Sequence, residues 1–196
     1  MADPNDPGLL TSPETSLLTD LYEITMAASY HRLGRNEPAV FELFIRKLPP
    51  HRDWMLVCGL GPTLRLVSEM RFGPSELEYL GTLGFGTDFL SYLEGYRFSG
   101  DIEAMPEGTI AFANEPLVRV TAPLIEAQVI ETLLLNQINF QTMIATKAAR
   151  VVLAADGNGD SVVDFSPRRD HGVDAAMKAA RASAVAGLGG TSNVAA

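Results

Sequence analysis

Asp164-Phe-Ser-Pro-Arg-Arg-Asp-His-Gly-Val-Asp-Ala-Ala-Met-Lys-Ala-Ala-Arg-Ala-Ser183, followed by Gly190-Thr-Ser-Asn193, is the stretch that decides the fold. Ser161–Phe165 reads as a short strand, Arg168-Arg169 as a turn and Val173–Ala186 as a helix. Glycines at 187, 189 and 190 then break the chain before a second strand at Thr191–Val194. This order is the opening of a parallel α/β unit. One strand–helix–strand cannot cover both faces of its own sheet. The unit is therefore expected either to dock on the preceding domain or to continue beyond Ala196.

Upstream the pattern is mixed. Residues 1–16 form an expected flexible N-terminus, rich in proline. A helix is predicted from Asp20, with Asp20 and Glu23 as a capping box and Gly34 as its stop. Tyr22, Met26 and Tyr30 share one helix face. Ala39–Lys47 reads as a strand with Phe41, Leu43 and Ile45 on one face. Trp54–Cys58 is a short apolar run leading to a helix over Thr63–Met70. Ser75 and Glu78 suggest a second capping box, opening a helix to Leu83, and Asp88–Glu94 a further short helix. Arg97–Glu103, Thr109–Ala113 and Leu117–Thr121 read as strands. Leu124–Ala155 is helical throughout and long enough for two helices or a bend near Asn136–Asn139.

The totals narrow the function classes. A net charge of −9 over 196 residues argues against a nucleic-acid binder. Cys58 is the only cysteine, so no internal disulfide can form. The start lacks the basic and apolar regions of a signal peptide, and the apolar stretch from Leu124 is broken by charges. The expectation is a cytoplasmic protein that acts on neither nucleic acid nor membrane.

Arg168 and Arg169 are the leading anion candidates, because guanidinium forks bind carboxylate and phosphate in a bidentate way. In an extended segment they point to opposite sides. One would then face a ligand while the other pairs with an acid such as Glu42 or Asp164. Thr191 and Ser192 offer hydroxyls and backbone N–H groups at a turn, which a plain helix-to-strand turn explains equally well. Lys147 and Arg150 lie three apart on one helix face, as possible phosphate-binding cations or as solvated charges. Gly59-Leu-Gly-Pro62 is better read as a structural turn than as a truncated dinucleotide fingerprint. His31, expected at the surface, His51, expected in a loop, and His171 are too far apart for a zinc site, and no metal site is expected.

Seven segments then occur in a telling order: Leu17–Met26, Phe41–Arg46, Pro106–Gly108, Glu131–Asn136, Ile144–Arg150, Arg168–Gly172 and Gly190–Val194. Together they resemble nicotinate phosphoribosyltransferase from about residue 17 onward. The resemblance implies an α/β class fold: an N-terminal α/β domain of a type II phosphoribosyltransferase, residues 17–122, then a helical connection and the first strands of an incomplete β/α barrel, residues 123–196. It implies that nicotinate attacks 5-phosphoribosyl 1-pyrophosphate to give nicotinate mononucleotide and pyrophosphate. ATP hydrolysis through a phosphorylated histidine and magnesium on the phosphates are implied as well. A homodimer would bring Tyr22 to the partner's active site. On the matched motifs, Tyr22 packs at the nicotinate ring and Phe165 stacks on the pyridine. Arg168 takes carboxylate or phosphate, and Thr191 and Ser192 line the pocket. Ser192 stands where nicotinamide enzymes carry aspartate, which favours the acid over the amide.

Two departures accompany the resemblance. Phe165-Ser-Pro-Arg168 replaces the family's Phe-Gly-x-Arg, setting Ser166 where glycine can adopt special angles and Pro167 where φ is fixed. The family's phospho-histidine is expected beyond Ala196, so no catalytic residue is expected in this chain, which alone is expected to lack the ATP-coupled reaction. His171 is a bystander. The alternatives are a non-catalytic remnant or dimerising fragment, and a nicotinamide-specific phosphoribosyltransferase relative.

Overall fold

The computed structural model describes residues 13–196. Of the expected flexible lead-in, residues 1–12 lie outside the described residues. Pro13–Leu17 form a 3-10 turn in which Ser16 is buried.

The helices are α1 (Leu21–Arg32), α2 (Leu60–Glu69), α3 (Pro74–Thr82), α4 (Thr87–Glu94), α5 (Leu124–Val129), α6 (Glu131–Ala154) and α7 (Val173–Val185). The strands are β1 (Pro38–Phe44), β2 (Met55–Leu56), β3 (Asp101–Ala104), β4 (Ile110–Ala111), β5 (Pro116–Pro123), β6 (Val163–Asp164) and β7 (Gly190–Thr191). Three sheets result, with orders β1-β5-β3, β2-β4 and β6-β7. In β1 the expected alternation holds, with Phe41 and Leu43 half-buried between exposed neighbours. The long helical stretch does divide into two helices, but at Ile130 and not near Asn136–Asn139.

The chain falls into two compact units. The first comprises the chain up to Phe41, Thr63–Ile102 and Arg119–Leu134; the second comprises Glu42–Pro62, Glu103–Val118 and Leu135–Ala196.

In the first unit α1 packs on α5, and Ile24 and Ala27 face inward. Gly34, at φ 65°, ends the run after α1 as expected, since the left-handed region carries no Cβ penalty for glycine. The Asp20–Glu23 capping box does not form. Asp20 makes no side-chain cap bond, and the Glu23 carboxylate turns inward to Thr19 and Thr132. The second capping box is displaced too. Pro74 occupies the first turn of α3, so the cap position falls on Gly73, and Ser75 bonds Glu76 at 3.0 Å. His31 is half-buried rather than a plain surface residue, its ring 5.0 Å from Tyr92 and 5.7 Å from Phe89.

In the second unit β2 and β4 pair antiparallel, Met55 opposite Ala111 and Leu56 opposite Ile110. The far edge of β2 is satisfied by α6 and not by another strand. Thr146 Oγ1 accepts from the Leu56 N–H at 2.9 Å, and Thr142 Oγ1 from the Cys58 N–H at 3.1 Å. The two threonines are one helical turn apart, which matches the two-residue repeat of a strand edge. Leu56, Cys58, Ala145, Ala149 and Ala182 form one apolar cluster with Trp54 and Val185 packed against it. The short alanine side chains of α6 and α7 are what allow both helices into that cluster.

Candidate active site

The parallel unit read from the sequence is present. β6 and β7 pair parallel, Val163 beside Gly190 and Asp164 beside Thr191, with α7 as the crossover. The strands are shorter than expected, because the chain turns at Phe165 and again at Ser192. Ligands of α/β sheets bind outside the carboxyl ends of parallel strands. Both candidate turns leave from that end.

Asp164 ties the two turns together. Its carboxylate accepts from Thr191 Oγ1 at 3.0 Å and from the Ser166 N–H at 2.9 Å, and its carbonyl accepts from the Ser192 N–H at 2.8 Å. Phe165, Thr191 and Ser192 are thus brought to one place. Phe165 is 67% exposed, an unusual position for so large an apolar ring.

Two expectations about the arginines are corrected. Pro167–Arg169 is a 3-10 turn and not an extended segment, so the two side chains do not alternate across a strand. Neither arginine pairs with Glu42 or Asp164. Arg169 donates to the Phe165 carbonyl at 2.9 Å, and among the described residues Arg168 makes no ion pair or hydrogen bond. Pro167 is compatible with this turn because a first-turn residue needs no N–H partner. Ser166 sits at φ −87° and ψ −18°, a conformation open to any L-residue, and its hydroxyl donates to Asp170 at 2.9 Å. The serine thus does not stand at a position that demands glycine. His171 is exposed beside the turn, and Lys147 and Arg150 are exposed on α6.

Tyr22 belongs to the first unit and is 49% exposed. Its hydroxyl donates to Glu131 at 2.8 Å. That hydrogen bond, with the nearby carboxylates, pushes the phenol up to about 12. Beside it Glu23 is fully buried, and burial raises its carboxyl above the ordinary range against the hydrogen bonds from Thr132 and Thr19.

A second constellation escaped the sequence reading. Arg181 of α7 grips Glu107 with both terminal nitrogens, at 2.6 and 2.9 Å. Glu107 also accepts from the Gly59 N–H at 2.6 Å, at the start of α2. A carboxylate there accepts from backbone N–H groups and lies at the positive end of the helix. The hydrogen bond from Arg181 is the main reason the Glu107 carboxyl lies below the ordinary range. Burial pushes the adjacent Cys58 thiol up to about 11, which makes it unreactive at neutral pH. Gly59, at φ 105°, has the Gln137 carbonyl 2.8 Å from where a Cβ would stand. Gly59 therefore serves close packing, while Leu60–Pro62, expected in a turn before the helix, are the first residues of α2. Pro106-Glu-Gly108 is legible as a turn and as one of the seven family segments, but not as an arginine partner. Nothing in the spacing links it to an arginine 74 positions later.

The fold and these turns define a mixed α/β protein with a parallel strand pair, β6 and β7, among the described residues. The family model for the nicotinate phosphoribosyltransferase (NAPRTase) N-terminal domain matches residues 17–139. Nicotinate phosphoribosyltransferase pncB2 of Mycobacterium tuberculosis is 52% identical over 180 residues, covering 91% of this chain and 38% of that protein. The nicotinate phosphoribosyltransferase of Bacillus subtilis is 48% identical over 182 residues, covering 91% and 36%. The crystal structure of human nicotinic acid phosphoribosyltransferase superposes with a TM-score of 0.83 at 33% identity, over 91% of this chain and 36% of that one. The chain belongs to the nicotinate phosphoribosyltransferase family and corresponds to its N-terminal region. It spans less than two fifths of the length of these relatives.

Proposed function

We propose that this sequence forms the N-terminal portion of a nicotinate phosphoribosyltransferase of NAD salvage, joining nicotinate to 5-phosphoribosyl 1-pyrophosphate with release of pyrophosphate. The observation that carries the reading is the pair of turns tied by Asp164 at the carboxyl end of β6 and β7. Phe165 offers a ring face for a pyridine, Arg168 a guanidinium with no partner among the described residues, and Thr191 and Ser192 small polar groups. Arg169 is the weaker phosphate candidate, since it already holds the Phe165 carbonyl. Lys147 and Arg150 are available as exposed cations. The division into a domain over 17–122 and the start of a barrel over 123–196 is part of the same proposal, as are a cytoplasmic location and a homodimer in which Tyr22 serves the partner's pocket.

ATP and magnesium belong to the complete reaction. Among the described residues no three His, Cys, Asp or Glu side chains are grouped to hold a metal ion, so magnesium is assigned to no residue here. No described helix is long and apolar enough to cross a membrane.

The pocket assignment is tested in a chimaera joining this sequence to the C-terminal remainder of the Mycobacterium tuberculosis relative. Ser192→Asp is expected to shift preference from nicotinate towards nicotinamide by roughly tenfold or more, because a carboxylate repels the acid and accepts from the amide. An unchanged preference removes Ser192 from the pocket. A second reading, a non-catalytic chain that pairs with another copy, draws on the exposure of Val163, Phe165 and Val194. Sedimentation of the 196-residue chain separates it: a monomer at micromolar concentration excludes that reading.

A further inference from the structure

A half-exposed tyrosine samples several rotamers unless something holds it. Tyr22 is held at its hydroxyl. The acceptor is Glu131, the first residue of α6, at 2.8 Å. The other carboxylate oxygen of Glu131 accepts from Gln128 Nε2, also at 2.8 Å, and Gln128 is buried on α5. Glu131 is therefore itself anchored. The next residue repeats the grip. Thr132 Oγ1 accepts from the Asp20 N–H at 3.1 Å and donates to Glu23, and the Thr132 N–H reaches the same carboxylate at 3.4 Å. Thr19 closes the set with a hydroxyl on Glu23. The pair Glu131-Thr132 thus holds the segment Asp20–Glu23 on both sides of Tyr22.

We propose that Glu131 is the positioning residue of Tyr22: it takes the one proton of the phenol and leaves the ring face as the surface Tyr22 offers to a ligand. A phenol has one hydrogen to donate. While Glu131 holds it, Tyr22 cannot donate to a substrate carboxylate or phosphate, and its contribution is ring packing. The proposal rests on the function above only in naming that ligand as a pyridine; the pairing itself stands on the geometry.

The first test uses the 196-residue chain labelled with 3-fluorotyrosine, whose lowered phenol pKa keeps the titration within the range of a folded protein. Tyr22→Phe assigns the Tyr22 fluorine signal. The acidic groups facing the phenol are Glu131, Glu23 and Asp20. In the parent chain Tyr22 is expected to ionise well above free 3-fluorotyrosine. In Glu131→Gln it should move down, and in Glu131→Ala further down towards the free amino acid. A Tyr22 titration that stays in place in Glu131→Gln overturns the pairing. The glutamine variant keeps an acceptor, so it decides the matter even if the alanine variant does not fold.

The second test uses the chimaera. Glu131→Ala is expected to raise KM for nicotinate by about tenfold with kcat within about twofold, and to have no further effect in a Tyr22→Ala background. An effect of the same size in both backgrounds overturns the positioning role. If Tyr22→Ala leaves KM unchanged, Tyr22 is not a pocket residue and the ring-packing claim falls with it. The fluorine result would still decide the Glu131 pairing.

Discussion

At the scale of single residues, the costs fall where a buried donor or a charge has one specific partner. Thr142 Oγ1 accepts from the buried Cys58 N–H and donates to the Cys58 carbonyl, each at 3.1 Å. Thr142→Val keeps the shape and removes both bonds, and is expected to cost about 1–3 kcal/mol in chemical denaturation. Glu107 gives a pH-dependent case. Its folded pKa is depressed by Arg181, so its contribution is present above the unfolded glutamate value, about 4.3, and is lost as pH falls through the folded value. The pair is partly exposed, so screening limits the contribution to about 1 kcal/mol. Glu107→Gln should be less stable at neutral pH and should lose less stability below about pH 4. Equal acid slopes in the two proteins would show that the pair contributes nothing. Glu23 has the opposite sign: its raised carboxyl opposes folding when ionised and partly offsets the loss from Glu107 on mild acidification.

At the scale of elements, the sequence reading located most of the helices and strands because periodicity and turn residues are local signals. The alternation in β1, the Gly34 stop and the β6–α7–β7 order were all legible. What it could not reach depends on partners distant in the chain. Asp20 and Glu23 have the spacing of a capping box, yet Glu23 bonds Thr132, 109 positions away. The alternation expected of the Arg168 and Arg169 side chains fails for a local reason instead: Pro167 starts a 3-10 turn where the sequence already marks a turn. Of the candidate site, Thr191 and Ser192 are legible as polar groups at a turn and Phe165 through the matched motif, whereas the sequence offers Asp164, which joins their turns, only as an arginine partner. Gly59 is an element-scale test. Its φ of 105° and the Gln137 carbonyl 2.8 Å from a Cβ position leave no room for a side chain. Gly59→Ala should destabilise by about 2 kcal/mol or more, because a Cβ at this positive φ would press on the Gln137 carbonyl. A melting temperature unchanged from the parent would contradict the close packing.

At the scale of the whole molecule, the chain carries the family's N-terminal region and spans 38% of its Mycobacterium tuberculosis relative. The parallel pair β6–β7 has two strands, and Val163 and Phe165 beside it are exposed. A two-stranded parallel sheet buries little on its own. On the function proposed above, the two turns would supply recognition, and turnover would draw on groups in addition to those described. The measurement that tests this most directly is the formation of nicotinate mononucleotide from nicotinate, 5-phosphoribosyl 1-pyrophosphate, ATP and magnesium, by the 196-residue chain and by the chimaera in parallel. The account predicts product from the chimaera, abolished or strongly reduced by Arg168→Met, and none from the 196-residue chain. A folded chimaera that makes no product, or one whose rate is unaffected by Arg168→Met, would contradict it.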